Sequence, residues 1–221
     1  MITFSTINDK FGWLSNKSNH SINFQGNTFP RADHWFICSR LEFHKETADE
    51  ICKISDPHDA KNLFKEIIKR NPDLLKVRLL SKEDVKNMET LIRMKIEQYP
   101  WMKWHLMCTE NQMIYEDVTS KVNVNDSSLF WGAAYICANQ EHVDCFWAGE
   151  NILGGLWMDL RDSLISNFYY NKCTKSSEDG ITLYLKHKET GEIIQRSELS
   201  SNEDITSALI KKITEKYYGN F

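Results

Sequence analysis

The segment VKNMETLIRMKIEQY, residues 85–99, has the period of a helix and carries one polar residue where none belongs. At 100° per residue with Val85 at zero, Met88 falls at about 300°, Leu91 at about 240°, Ile92 at about 340°, Ile96 at about 20° and Tyr99 at about 320°. These form one apolar stripe. Lys95 falls at about 280°, inside the stripe, while Lys86, Glu89, Arg93 and Glu97 lie off it. An ammonium facing a core costs several kcal/mol unless it is paired or gives up its proton. Two readings follow. Lys95 snorkels to water from the end of the stripe, or it is a lysine of lowered pKa, the kind that serves as an amine nucleophile. Periodicity alone favours the first.

The surrounding chain has 221 residues, enough for one large domain or one domain with an appendage. Hydrophobic residues make up 41%, sufficient for a core. A mean hydropathy of -0.50 and the lack of any run near ~20 apolar residues argue against a membrane protein. MITFSTINDK lacks the basic and apolar regions of a secretory leader, so a cytoplasmic protein is expected. The net charge of -4 argues against holding nucleic acid by charge alone, and leaves room for a local basic cleft. The six cysteines form no CxxC pair and no zinc-spaced cluster with histidine. Six reduced, mostly buried thiols are expected, with no metal and no cofactor.

Before the Lys95 helix, Ile2–Ser5 and Ser21–Phe24 read as strands, with a hairpin turn at Gln25-Gly26-Asn27. Pro30 opens a buried helix over 31–42, in which Asp33 and Arg40 lie two turns apart on one face. Helices follow at Thr47–Ile54 and His58–Arg70, and Ser81 with Asp84 forms a capping box for the Lys95 helix. After Pro100 come a helix over Trp101–Cys108, a strand over 112–118 and a polar loop over 119–128. A strand at Ala133–Ala138 separates two aromatic pieces, Phe130-Trp131-Gly132 and Phe146-Trp147-Ala148-Gly149. Asn151 begins a long apolar-faced helix running to Tyr170. A polar linker at 172–180 leads to a hairpin turning at Glu189-Thr190-Gly191 and a final helix, Glu203–Tyr218. The expected fold is α+β: a helix-rich single domain with a small β-sheet over 1–171, and a C-terminal hairpin-plus-helix extension over 172–221 packed on it.

In this order the motifs resemble the NADAR family, also called YbiA-like, over roughly residues 2–165. The matching pieces are Leu14-Ser15-Asn16, the run INFQGNTFPRADHWF, Met88 to Ile96, Met107-Cys108-Thr109 with Glu116, Phe130-Trp131-Gly132, and GENILG from Gly149 with Met158 and Arg161. The resemblance implies a YbiA-like fold and cleavage of N-glycosidic bonds of ribose derivatives. It also puts Lys95 on the family's recurrent lysine, which reverses the reading from periodicity. Family members act on ADP-ribosylated guanine in nucleic acid or on phosphorylated ribosylamino-pyrimidine intermediates of riboflavin synthesis. A Schiff-base route through a lysine is proposed for the former.

The chemistry asks for carboxylates to stabilise oxocarbenium character and for an acid to protonate the leaving base. Asp33 stands where the family has Glu, one methylene longer. By itself it reads first as a partner of Arg40 or a helix N-terminal acid, and the family match moves it to the site. Ser128 stands where the family usually has Asp, and Asp126 is the nearest carboxylate able to replace it. The expected catalytic residues are therefore Lys95, Asp33 and Asp126. Ser15, Asn16, His34, Trp131, Gly132 and Asn151 are expected to bind substrate, with turn formation, N-capping and core packing as their structural alternatives. The expected partner is ADP-ribosylated nucleic acid or a ribosyl-nucleotide, with no membrane. A non-catalytic nucleotide binder is the rival reading, supported by the changes at positions 33 and 128.

Overall fold

A computed structural model describes residues 1–41, 45–121, 124–137, 144–166, 168–174, 181–187 and 193–199. It divides into two compact units: Met1–Gln98 with Met113–Trp157, and Tyr99–Gln112 with the described residues from Met158 onward.

The first unit begins with β1 (Ile2–Phe4). A 3₁₀ turn at Gly12–Leu14 follows. Strands β2 (Ile22–Phe24) and β3 (Asn27–Phe29) pair antiparallel. Gln25 and Gly26 between them both have positive φ, the conformation a two-residue hairpin loop demands. Helix α1 (Ala32–Cys38) is shorter than its apolar run suggests. It packs on α2 (Lys45–Cys52), α3 (Pro57–Arg70) and α4 (Lys82–Gln98). Asp56 caps α3 by accepting from the backbone N–H groups of His58 and Asp59. In α4 the stripe is realised, since Met88, Leu91, Ile92, Lys95 and Ile96 are all buried.

In the second unit, α5 (Pro100–Met107) starts at the proline that ends the preceding helical run. Arg161 there donates to the Thr109 hydroxyl at 3.2 Å and the Gln112 carbonyl at 2.7 Å. Strand β4 (Ile114–Glu116) returns to the first unit and lies parallel to β1, Ile2 opposite Ile114.

Residues 119–128 are not loop throughout. Asn125 caps a short helix, α6 (Asp126–Trp131), and Trp131 ends it. Strands β5 (Ala134–Cys137) and β6 (Cys145–Ala148) pair antiparallel and place Cys137 opposite Cys145. These two cysteines form a disulfide, which corrects the expectation of six reduced thiols. The spacing of eight residues carries no metal or redox signature, and only the strand register brings the pair together. Cys38, Cys52 and Cys108 form no disulfide. The neighbouring Cys52 thiol, together with burial, pushes the Cys38 thiol far up.

Helix α7 (Ile152–Ser166) begins in the first unit and ends in the second. Its apolar run does not continue as helix: β7 (Phe168–Thr174), β8 (Ile181–His187) and β9 (Ile193–Leu199) form a three-stranded antiparallel sheet. The expected hairpin is β8–β9, and β7 is an additional strand where helix end and linker were expected. The expected turn at 189–191 and the helix over 203–218 fall outside the described residues. Among the described residues no helix is long and apolar enough to cross a membrane. The fold is α+β, mainly helical, with few short strands.

Candidate functional site

Lys95 lies in the last turns of α4 and is wholly buried. Its amine donates to the carbonyls of Trp13 at 2.6 Å and Ser15 at 2.7 Å, and meets the Ser18 hydroxyl at 2.8 Å. The 3₁₀ turn and the loop after it thus wrap three oxygens around one nitrogen. Desolvation pushes the amine down to about 7, against the upward pull of the Asp33 carboxylate. Its neutral form is therefore far easier to reach than that of an ordinary lysine. The snorkelling alternative fails because the head group reaches protein oxygens rather than water.

Asp33 sits in the first turn of α1 and is half-buried. Its backbone N–H donates to the Asn16 carbonyl at 3.0 Å, so the lysine-binding loop also fixes the start of α1. Besides Lys95, its carboxylate lies in the field of Lys61 on α3, around which Lys17, Arg40 and Lys65 also gather. Asp33 is not the partner of Arg40. Helix α1 ends at Cys38, and the Arg40 guanidinium turns to Asp84 on α4, with Nε to Oδ1 at 2.7 Å and a second nitrogen to Oδ2 at 2.8 Å.

Asn16 is buried, and its Nδ2 lies 3.0 Å from the Met88 sulfur. Its side-chain carbonyl has no hydrogen-bond partner. A buried amide oxygen left without a donor is uncommon in a folded chain. Here it lies one residue from the Lys95 cage. Ser15 contributes its carbonyl to that cage, and its hydroxyl accepts from the Lys17 N–H. His34 is fully buried, with Nε2 2.8 Å from the Ile54 carbonyl and Nδ1 without a partner.

Four of the expected residues, Ser15, Asn16, Asp33 and Lys95, are thus joined around one loop. Trp131 reaches α1 by a different route, its ring edge-to-face with Phe36 at 5.5 Å. Asp126 stands exposed at the first residue of α6. Ser128 serves the same cap, its hydroxyl donating to Asn125 Oδ1 at 3.2 Å.

Gly132 and Asn151 instead fasten β4. A Cβ at Gly132 would collide with the Glu116 carbonyl. Asn151 has a left-handed backbone, φ 51°. Its amide accepts from Glu116 N–H at 3.1 Å and donates to the Ile114 carbonyl at 2.8 Å. Its polar atoms are thereby occupied by β4.

Sequence reading missed Ser18 and His20. The Ser18 hydroxyl bridges Lys95 to the ring of His20, 3.0 Å away. The spacing S-x-H two residues past Asn16 was the available signal, and only the loop's folding gives it meaning. Among the described residues no cluster of three or more His, Cys, Asp or Glu side chains is placed to hold a metal ion.

Comparison with known proteins places the chain in a family. The NADAR domain model matches residues 3–165. The chain is 27% identical over 164 residues to N-glycosidase YbiA of Shigella flexneri, covering 74% of this chain and 88% of the relative. It is 26% identical to N-glycosidase YbiA of Escherichia coli K12 over the same shares. The NMR structure of the E. coli protein YbiA superposes with a TM-score of 0.53 at 23% identity, covering 74% of this chain and 83% of that one. That likeness bears on the fold. Relatives named as N-glycosidases, and a family match spanning the Lys95 loop and helix, support a hydrolase of glycosidic bonds. The chain belongs to the NADAR domain family.

Proposed function

We propose that this protein hydrolyses the N-glycosidic bond joining ADP-ribose to guanine in ADP-ribosylated nucleic acid, in the cytoplasm. The observation that carries the reading is the buried Lys95 amine, brought to about 7 by desolvation, within the field of the Asp33 carboxylate. The Lys95 lone pair takes C1′ of the ribose as the C1′–guanine bond breaks, and the bond pair goes to the base. The amine then sheds a proton, which Asp33 carries to the departing guanine. Ring opening moves the remaining N–H proton to the ribose ring oxygen and leaves an imine. Water adds to the imine, the bond to Nζ breaks, and ADP-ribose and free amine result. Asn16, with its unpartnered buried carbonyl, accepts from a ribose hydroxyl. Lys17, Lys61 and Lys65 favour phosphate-bearing substrates. The strands β7–β9 lie beyond the residues matched to the family, an addition that a small metabolite would not need.

The test is incubation with a guanine-ADP-ribosylated oligonucleotide, followed by mass spectrometry. Release of ADP-ribose with restoration of unmodified guanine is expected, with borohydride trapping ribose on the protein. An unchanged oligonucleotide beside cleavage of a phosphorylated ribosylamino-pyrimidine would move the substrate to riboflavin intermediates. Binding of ADP-ribose without release from either substrate would leave a non-catalytic binder.

A further inference from the structure

A lysine that acts as a nucleophile must first lose a proton, and the oxygens around Lys95 differ in their ability to take one. The Trp13 and Ser15 carbonyls accept a hydrogen bond and are far too weakly basic to carry a proton onward. The Ser18 hydroxyl can accept a proton on one side while giving its own on the other. It touches Lys95 Nζ at 2.8 Å and His20 Nδ1 at 3.0 Å. Ser18 is buried, whereas His20 is only half-buried, so the imidazole spans the step from interior to surface. The turn is fixed by its own backbone: Ser18 N–H donates to the Ser15 carbonyl at 3.1 Å, and His20 N–H to the Ser18 carbonyl at 2.7 Å.

We propose that Ser18 and His20 are positioning residues that form the proton exit for Lys95, resting on the N-glycosidase reading above. In the step, Lys95 Nζ gives a proton to Ser18 Oγ as the Ser18 hydroxyl proton passes to His20 Nδ1. A neutral amine, an intact hydroxyl and an imidazolium result. The imidazolium then loses its Nε2 proton to water. The lone pair is now on Nζ where the hydrogen bond to Ser18 had been, and exchanging that one bond for C1′ of the sugar starts the reaction. Burial, with the Lys95 charge beside it, pushes His20 down to about 4, so its ring is neutral and able to accept at neutral pH. Lys95 faces His20, and Asp33 of α1 faces Lys95.

The experiment compares the full chain with His20→Asn and Ser18→Ala. Asparagine keeps a hydrogen-bonding group near Nδ1 and cannot carry the proton. At pH 7 a fall in kcat of about ten- to a hundredfold with unchanged KM is expected, modest for lost acid–base assistance. The deficit should shrink by pH 9, where the amine is already neutral, and added imidazole should restore His20→Asn. An unchanged kcat, or a loss that is equal at both pH values and insensitive to imidazole, overturns the relay. Exchange of the Lys95 Nζ protons with water, followed by NMR, is a readout independent of any substrate. It should slow in both variants. If the wild-type chain cleaves no N-glycosidic bond, the exchange rate still decides the relay while the glycosidase reading fails. If Ser18→Ala does not fold, His20→Asn alone decides.

Discussion

Helix α4 holds a buried charge near each end, and the two are handled in opposite ways. Near its start, Asp84 is fully buried and grips Arg40 with both oxygens while also accepting from the Leu80 N–H. Near its end, Lys95 is equally buried but meets two carbonyls and one hydroxyl, and the Asp33 carboxylate acts on it through space. The first arrangement is a closed, bidentate, charge-assisted contact. The second satisfies the geometry of an ammonium without cancelling its charge, so the proton is loosely held. A closed ion pair is a fastener, whereas a lysine caged by neutral oxygens remains available for chemistry.

Removing one partner at the fastener should give the largest effect. Asp84→Ala leaves the Arg40 charge buried and unpaired and should destabilise by about 3–5 kcal/mol in chemical denaturation. Arg40→Met combined with Asp84→Leu should recover most of that loss. A double variant no more stable than the single would show that Asp84 acts mainly through the Leu80 N–H.

At the cage the balance is reversed. Lys95→Met should abolish glycosidase activity while costing about 1–3 kcal/mol, because the Trp13 and Ser15 carbonyls lose their donor. Lys95→Arg keeps the charge but offers no amine nucleophile. Borohydride trapping should therefore occur on wild type only. Full activity in Lys95→Met would make this end a second fastener.

The pH dependence sharpens the contrast. Lys95 is held at about 7 when folded against its ordinary 10.5. Between those values the unfolded chain binds more protons, so stability should rise with pH across that window. His20, lowered from 6.5 to about 4, should contribute a loss of stability as pH falls through that lower range. Denaturation midpoints compared between wild type and Lys95→Met should show the upper rise in wild type alone.

The smallest effect belongs to the helix start that carries Asp84. The Ser81 hydroxyl accepts from the Asp84 N–H at 3.2 Å. Ser81→Ala should cost about 1 kcal/mol and leave kcat untouched. A change in kcat would mean that the two ends communicate.

These two ends were not equally legible in the sequence. Lys95 announced itself because a helix has a fixed period and a charge inside an apolar stripe breaks it. The Arg40–Asp84 pair could not be read that way. Its members are 44 residues apart, and the local alternative, Asp33 with Arg40, required a helix longer than the one that forms. The same locality explains the fold. The β2–β3 hairpin and the break at Pro100 are written in adjacent residues. Helix α6 was hidden because Asn125 and Ser128 look like loop residues until they are seen capping. Strand β7 was hidden because Phe168-Tyr169-Tyr170 continues an apolar helical run, the residues after it read as polar linker, and its partner, β8, comes only at Ile181–His187. Ser18 and His20 acquire a role only when their loop closes over a lysine 77 residues away.

The anchoring of β4 has a consequence for descent. Gly132 lies against the Glu116 carbonyl, Asn151 clasps one edge of the strand with both ends of its amide, and a Cβ at Gly154 would strike the Ile114 carbonyl and the Asn151 amide. These positions belong to the W-G and G-x-N-x-L-G signatures. Selection for a correctly seated strand is enough to preserve them in any lineage, whatever that lineage does with its lysine. Chains can therefore diverge in substrate, or lose chemistry altogether, while keeping the signatures intact. Such signatures report an architecture, and a change of reaction would have to be read in the loop around Lys95 instead.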